Sequence, residues 1–317
     1  MKIDVLASEP HYLEHMLPIF DALPDRLKGT IHPLRFPEST LRPPMGRAAM
    51  VAGWQDVVGL RGQCPMIYVE HGAGQSYADV GFHPSYSRSG GVRHQGVIGF
   101  ISPSHDVAKR WLSAPAKAVG CPKMDSWLGT PPPKQPAVCF AWHWECEVVP
   151  EARSAWPHYR ARMGQIIGLY SAMGFQVYVH EHPKWRGRLI DEWSNDHDVP
   201  VLQYASEVFE KASILFVDNS SLATEFMLLN RPVVFMNAPW YRRDVQHGGR
   251  FWDWVAGHVM VNGPDDLLAM NPWDLVHEVD ATAAACEMTT RQVYAFRDGT
   301  SSQRAANFIT EVLEARA

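Results

Sequence analysis

Four apolar residues in a row, Ile214 to Val217, precede four short polar ones, Asp218-Asn219-Ser220-Ser221. Apolar Leu222, Phe226 and Leu229 then recur at helical spacing. An unbroken apolar run of this length suits a strand buried on both faces. Asp, Asn and Ser suit the turn that opens a helix, because their side chains satisfy free backbone N–H groups. Asn230 before Arg231-Pro232 ends that helix, and residues 233–236 form a second buried run. The pattern predicts a β-α-β unit, and with it a parallel sheet and a right-handed crossover.

Similar alternation runs along the whole chain. Before residue 130 it predicts strands at 1–6, 30–34, 50–52, 66–69, 97–101 and 117–119, with helices at 11–23 and 105–112. Thr130-Pro131-Pro132-Pro133-Lys134-Gln135-Pro136 reads as a stiff linker, since proline fits neither a helix interior nor a central strand. Beyond it, strands at 137–142 and 175–179 and helices at 156–173 and 205–211 lead into the β-α-β unit. The expectation is an α/β fold of two Rossmann-like domains, residues 1–133 and 134–317, with a cleft between them.

Composition narrows the class. With 46% hydrophobic and 20% charged residues the chain reads as a soluble globular protein. No apolar run approaches the roughly 18 residues that span a membrane, and the chain opens on a strand pattern rather than a signal peptide. Cys64, Cys121, Cys139, Cys146 and Cys286 form no CxxC pair, which suggests reduced thiols and a cytoplasmic location. Of 29 basic and 34 acidic residues, 13 and 11 fall in residues 1–133, leaving 16 and 23 in residues 134–317. Bulk charge therefore does not indicate a nucleic-acid platform, although nucleic acid stays open as an acceptor. Twelve tryptophans suit a cleft for sugars or bases as well as a core.

The candidate chemistry sits at strand ends. A helix that starts just after a strand offers N–H groups and its positive dipole end at the carboxyl edge of the sheet. Ser220 and Ser221 add hydroxyl donors there, beside Asn219, making a phosphate site without lysine or metal; an ordinary helix cap is the alternative. Glu225, one turn in, would accept from ribose hydroxyls. His71 follows the strand at 66–69 in a turn with Gly72 and Gly74, which suits a general base close to a ligand; a turn histidine without a role is the other reading. His180 and His182 end another strand. With His143 they would make a three-histidine metal site, but no carboxylate or cysteine has fitting spacing. The expected roles are a phosphate contact or an acid for His182 and donor binding for His180, with packing as the alternative; no metal or cofactor is called for. Arg88 and Arg93 in the loop 81–94, and Arg250 in an Arg-Phe-Trp-Asp-Trp segment, suit acceptor contacts or a solvated connector.

Several of these stretches, in order, resemble the CDP-glycerol glycerophosphotransferases of teichoic-acid synthesis. Gly120-Cys121-Pro122-Lys123-Met124-Asp125 resembles that family's Gly-x-Pro-Arg-x-Asp, and Val179 to Pro183 its apolar strand ending in His-Pro. Asp218-Asn219-Ser220-Ser221 with Glu225 is similar to its Asp-Tyr-Ser-Ser and following acid. Arg231-Pro232-Val233-Val234-Phe235, the segment at Arg250 and Asp298-Gly299 with Ser302 and Arg304 match further motifs.

The resemblance implies a GT-B glycosyltransferase fold and a nucleotide-diphosphate donor. The expected activity is metal-independent transfer of a sugar or polyol phosphate to an acceptor hydroxyl. His71 would deprotonate the acceptor. His182, Ser220 and Ser221 would hold the donor phosphates, and closure about the linker near Pro133 would exclude water. Three alternatives stay open at this point: an isomerase like the nucleotide-sugar 2-epimerases, a silent nucleotide-sugar binding module, and a glycosyltransferase acting on a hydroxymethylated base in DNA.

Overall fold

The computed structural model describes residues 1–32, 47–73, 96–145, 153–185, 187, 193, 197–241, 252, 254–255 and 257–316. They fall into two compact units. One holds residues 1–73, 96–128 and 291–316, and the other residues 129–290.

The first unit is built on six parallel strands: β1 (Ile3–Val5), β2 (Lys28–Ile31), β3 (Ala48–Val51), β4 (Met66–Val69), β5 (Val97–Ser102) and β6 (Ala116–Ala118), in the order β2-β1-β3-β4-β5-β6. β3, β4 and β5 are buried at every position, which is why they read as unbroken apolar runs; the edge strand β2 is not. Helices α1 (Pro10–Ala22), α2 (Trp54–Gly59) and α3 (His105–Ala108) connect them. α3 is shorter than expected, because Trp111 turns inward and stacks on Phe100, ring centroids 4.2 Å apart.

The second unit carries β7 (Ala137–Trp142), β8 (Gln176–Glu181), β9 (Val201–Leu202), β10 (Ile214–Val217), β11 (Val233–Met236) and β12 (Val259–Val261), again all parallel, in the order β12-β11-β10-β7-β8-β9. This is the dinucleotide-binding order, and the strand order reverses between β7 and β10. The predicted helix at 156–173 is two helices, α4 (Trp156–Tyr159) and α5 (Met163–Ala172), separated by a 3₁₀ turn. Next come α6 (Ala205–Lys211), α7 (Leu222–Met227), α8 (Pro264–Ala269), α9 (Pro272–His277) and α10 (Val279–Val293), whose last residues, like α11 (Ser301–Glu314), belong to the first unit. The β-α-β unit at β10-α7-β11 stands where the hydrophobic pattern put it. Its core is aromatic: Phe140 stacks on Phe216, 4.8 Å between centroids, with Tyr170 against both.

The sequence predicts a second domain that runs to residue 317. In the structure residues 291–316 pack with the first unit instead, and two of the motifs explain how. Asp125 accepts from the backbone N–H of Ser301 (3.1 Å) and of Ser302 (2.6 Å), so its carboxylate caps α11. Gly120 has φ +98, and a Cβ there would lie 2.5 Å from the carbonyl oxygen of Phe296 and 2.6 Å from Ser301 Oγ. Arg304 forks onto Asp298 and lies 3.9 Å over the Phe296 ring. Phe308, Ile309, Val312 and Leu313 then enter the core shared with α1, β1 and β3.

A third motif secures the start of the linker. The buried Arg231 guanidinium donates to the carbonyls of Phe209 (2.5 Å), Ala212 (2.9 Å), Thr130 (3.3 Å) and Pro131 (2.8 Å). Burial lowers its pKa to about 10, still far above neutrality. Thr130 and Pro131 are thereby fixed to the second unit. Among the described residues no helix is long and apolar enough to cross a membrane.

Candidate functional site

Each sheet gathers its chemistry at its carboxyl edge. In the first unit the strand order reverses at β1 and β3; the loops that leave these strands hold Ser8, Ala52 and Gly53, and Asp56 stands in the first turn of α2. His71 stands two residues beyond β4. Its Nδ1–H donates to the Ala52 carbonyl over 2.5 Å, which places the basic lone pair of the neutral ring on Nε2. Gly72, at φ +79, turns the chain immediately after it.

The N-terminal turns of α1 surround the His71 ring. Tyr12 meets it edge-on at 4.6 Å, with His11 and His15 at 6.1 and 6.3 Å between centroids. Burial, reinforced by Lys123, His71 and His11, holds the His15 pKa well below 6.5, so His15 is neutral near pH 7. Lys123 pairs with Glu14 at 2.9 Å. Buried Asp56 accepts from Ser8 N at 3.3 Å, and burial raises its pKa to about 6.

In the second unit the reversal lies between β7 and β10, whose ends are joined by Asp218. Both of its carboxylate oxygens accept from His143 N at 3.0 Å, and Oδ2 also accepts from Ala155 N at 3.0 Å. Burial raises the Asp218 pKa to about 7 against the opposing pull of those N–H groups. Asp218 therefore positions the loop after β7 and the start of α4.

That loop brings the His143 ring to 5.0 Å from His182, which follows β8, with Trp144 at 6.4 Å. The Nδ1–H of His143 donates to the Trp144 carbonyl at 3.0 Å. His182 Nδ1 accepts from Lys184 N at 3.2 Å, so its neutral ring carries the proton on Nε2, as a donor to an anionic oxygen requires. The Lys184 ammonium lies 4.6 Å above the Trp144 ring.

The other expected donor residues divide. Ser220 Oγ accepts from Leu222 N at 3.3 Å and caps α7, which leaves its own O–H to donate elsewhere; Ser221, the N-cap residue, makes no side-chain cap bond. α7 is only six residues long, so its dipole is modest and the hydroxyls matter more than the helix end. Asn219 is buried beside them, and Glu225 is buried too, at 2% exposure. His180 is 8% exposed, with Nδ1–H donating to the Leu202 carbonyl at 2.9 Å. Among the described residues no group of three His, Cys, Asp or Glu could hold a metal, so the three-histidine site does not form there. Gly74, Arg88, Arg93 and Arg250 lie outside the described residues.

Sequence reasoning passed over Tyr12, His11, His15, Trp144 and Lys184, and took His143 only as a metal ligand. His11 and His15 carried a signal, since four-residue spacing puts them on one helical face.

Two Rossmann-type parallel sheets in tandem, each with its polar cluster at the carboxyl edge, make up the GT-B fold. Residues 172–311 match the family of CDP-glycerol:poly(glycerophosphate) glycerophosphotransferases, the one the motifs resemble. Among solved structures, the wall teichoic acid polymerase TagF, as a variant, superposes with a TM-score of 0.69 at 12% identity, covering 100% of this chain and 90% of that one. S. aureus MnaA with UDP gives 0.58 at 12% identity, over 99% and 97%. The UDP-GlcNAc 2-epimerase of Methanocaldococcus jannaschii, with UDP-GlcNAc and UDP, gives 0.53 at 11% identity, over 98% and 100%. At these identities the likeness is one of fold. No curated protein matches the sequence.

Proposed function

We propose that the chain transfers a polyol phosphate, glycerol phosphate in the first instance, from a CDP-activated donor to an acceptor hydroxyl. One coincidence carries the reading: the stretch that matches the glycerophosphotransferase family, residues 172–311, is the one that holds His182 and the turn from Asp218 to Ser221. The isomerase alternative has only the shared fold behind it.

In this reading His71 Nε2 takes the proton of the acceptor hydroxyl. The acceptor oxygen bonds to the β-phosphorus of the donor as the anhydride P–O bond breaks, and CMP leaves. His182 Nε2–H, the Lys184 ammonium and the hydroxyls of Ser220 and Ser221 meet the charge that develops on the phosphates; such fixed donors act in the transition state without reorganisation. Asn219 and His180 shape the donor side, and Glu225 takes the ribose if local opening exposes its carboxylate. Gly72 and Gly74, with Arg88, Arg93 and Arg250, serve the acceptor. Transfer proceeds in EDTA, since these groups do the work a metal does elsewhere. We place the reaction in the cytoplasm, in keeping with buried, unbridged Cys64, Cys121, Cys139 and Cys286.

The test is nucleotide release from CDP-glycerol, UDP-GlcNAc and UDP-glucose, with and without poly(glycerol phosphate). Acceptor-dependent CMP release from CDP-glycerol supports the reading. Conversion of UDP-GlcNAc with no acceptor present, or release from the UDP-sugars alone, overturns it.

A further inference from the structure

Gly53 is a glycine that backbone conformation does not require. Its φ of −87 and ψ of 137 are open to any residue. What it lacks is space. A Cβ there would lie 2.9 Å from Tyr12 Cζ, closer still to Tyr12 Cε2, and 2.9 Å from Asp56 Oδ2. Contacts this short force something to move, and neither neighbour is a loose surface side chain: Tyr12 is 2% exposed within the core beneath α1, and Asp56 is buried and holds Ser8 N.

Two groups that meet the His71 ring both adjoin this position. One is the Ala52 carbonyl, a single peptide before Gly53, which receives the Nδ1–H. The other is the Tyr12 ring, which lies over Gly53 and meets the imidazole edge-on. The carbonyl sets the tautomer and the ring sets the tilt. We propose that Gly53 is a positioning residue for His71, acting through the Tyr12 ring and the Ala52 carbonyl to hold Nε2 in one direction. The proposal rests on the reading of His71 as the general base.

Other polar groups stand near the imidazole or its neighbours. From α1 these are His11 and His15, with Glu14 paired to Lys123; Asp56 stands behind the Ala52–Gly53 peptide. A displacement of about 1 Å in a catalytic group can cost on the order of 100-fold in rate.

The experiment compares wild type, Gly53→Ala, Tyr12→Leu, Tyr12→Phe and the double variant Gly53→Ala/Tyr12→Leu. Two readouts are taken: the ¹⁵N tautomer and titration signals of His71, assigned by their loss in His71→Gln, and the kinetics of CMP release from CDP-glycerol onto poly(glycerol phosphate). Gly53→Ala is expected to lower kcat about 10- to 100-fold, leave the CDP dissociation constant within about twofold, and weaken the Nδ1–H tautomer signal. Tyr12→Phe keeps the ring and should stay near wild type. Tyr12→Leu removes the same contact without adding an atom, and so keeps the test open should Gly53→Ala not fold. In that background Gly53→Ala should cost little more, the non-additivity of residues that act as one unit. Wild-type kcat and an unchanged tautomer signal in folded Gly53→Ala overturn the proposal, as does full additivity in the double variant. Failure of the base reading looks different: His71→Gln then stays active, while the tautomer signal still reports whether Gly53 positions the ring.

Discussion

His71 and His182 have different ring chemistries, and the difference is set by backbone. The Ala52 carbonyl takes the Nδ1 proton of one; the Lys184 N–H donates to Nδ1 of the other. Neutral His71 therefore offers a lone pair at Nε2 and neutral His182 offers a proton. The variants should separate accordingly. His71→Gln is expected to lower kcat by about 10²–10⁴-fold with the CDP dissociation constant unchanged, and His182→Gln to weaken CDP binding and turnover together. Calorimetry for binding beside steady-state rates decides it; a His71→Gln enzyme at wild-type rate under saturating acceptor would remove that residue from the mechanism. Ser220→Ala/Ser221→Ala should weaken CDP binding by about 1.5–3 kcal/mol per lost charge-assisted bond. The Ser220 cap contributes roughly 1 kcal/mol to stability as well, so the melting temperature of the ligand-free variant must be compared. Unaltered CDP affinity would return both serines to a purely structural part.

At the level of elements, motifs that looked functional in the sequence divide between chemistry and clasp. Asp125 and the run from Asp298 to Arg304 sit 173 residues apart or more, yet they meet at the start of α11. Asp125→Ala should destabilise the protein by about 1–3 kcal/mol, from a lost cap and two bonds to a carboxylate. Urea unfolding measures this, and kcat well below the melting temperature should barely change. A large kcat loss in the folded variant would mean that the clasp also tunes the site. The β-α-β unit at residues 214–236 was legible because strands buried on both faces leave no polar gaps. The return of residues 291–316 was not, since an amphipathic helix does not say which sheet it covers. The site was legible in part for the same reason. Strand-end His71 and His182 stand out locally, whereas Tyr12 and His15 acquire meaning only when α1 folds over β4, more than 50 residues downstream.

For the molecule as a whole, buried titratable groups set the response to pH. Burial lowers the His258 pKa to about 4, while its Nε2 is hydrogen-bonded to Thr289 Oγ1 at 2.9 Å. The unfolded chain takes up this proton near pH 6.5 and the folded chain resists it until about pH 4, so stability present at neutral pH is lost as pH falls through that window. Asp218 and Asp56, with raised pKa values of about 7 and 6, act in the opposite sense between those values and 3.8. Comparing wild type with His258→Gln cancels the carboxyl contributions. From pH 7 to pH 4.5 wild type should lose on the order of 2 kcal/mol relative to the variant, read by urea unfolding at each pH; parallel stability curves would contradict the assignment.

The central claim is that phosphorus moves with the polyol, which separates this chemistry from glycosyl transfer on the same fold. Donor labelled with ³²P at the β-phosphate decides it directly. Incubation with poly(glycerol phosphate) should carry the label into the polymer and release unlabelled CMP in equal amount, with EDTA present. Label that leaves with the nucleotide as CDP, or that appears as free glycerol phosphate regardless of acceptor, would contradict the account.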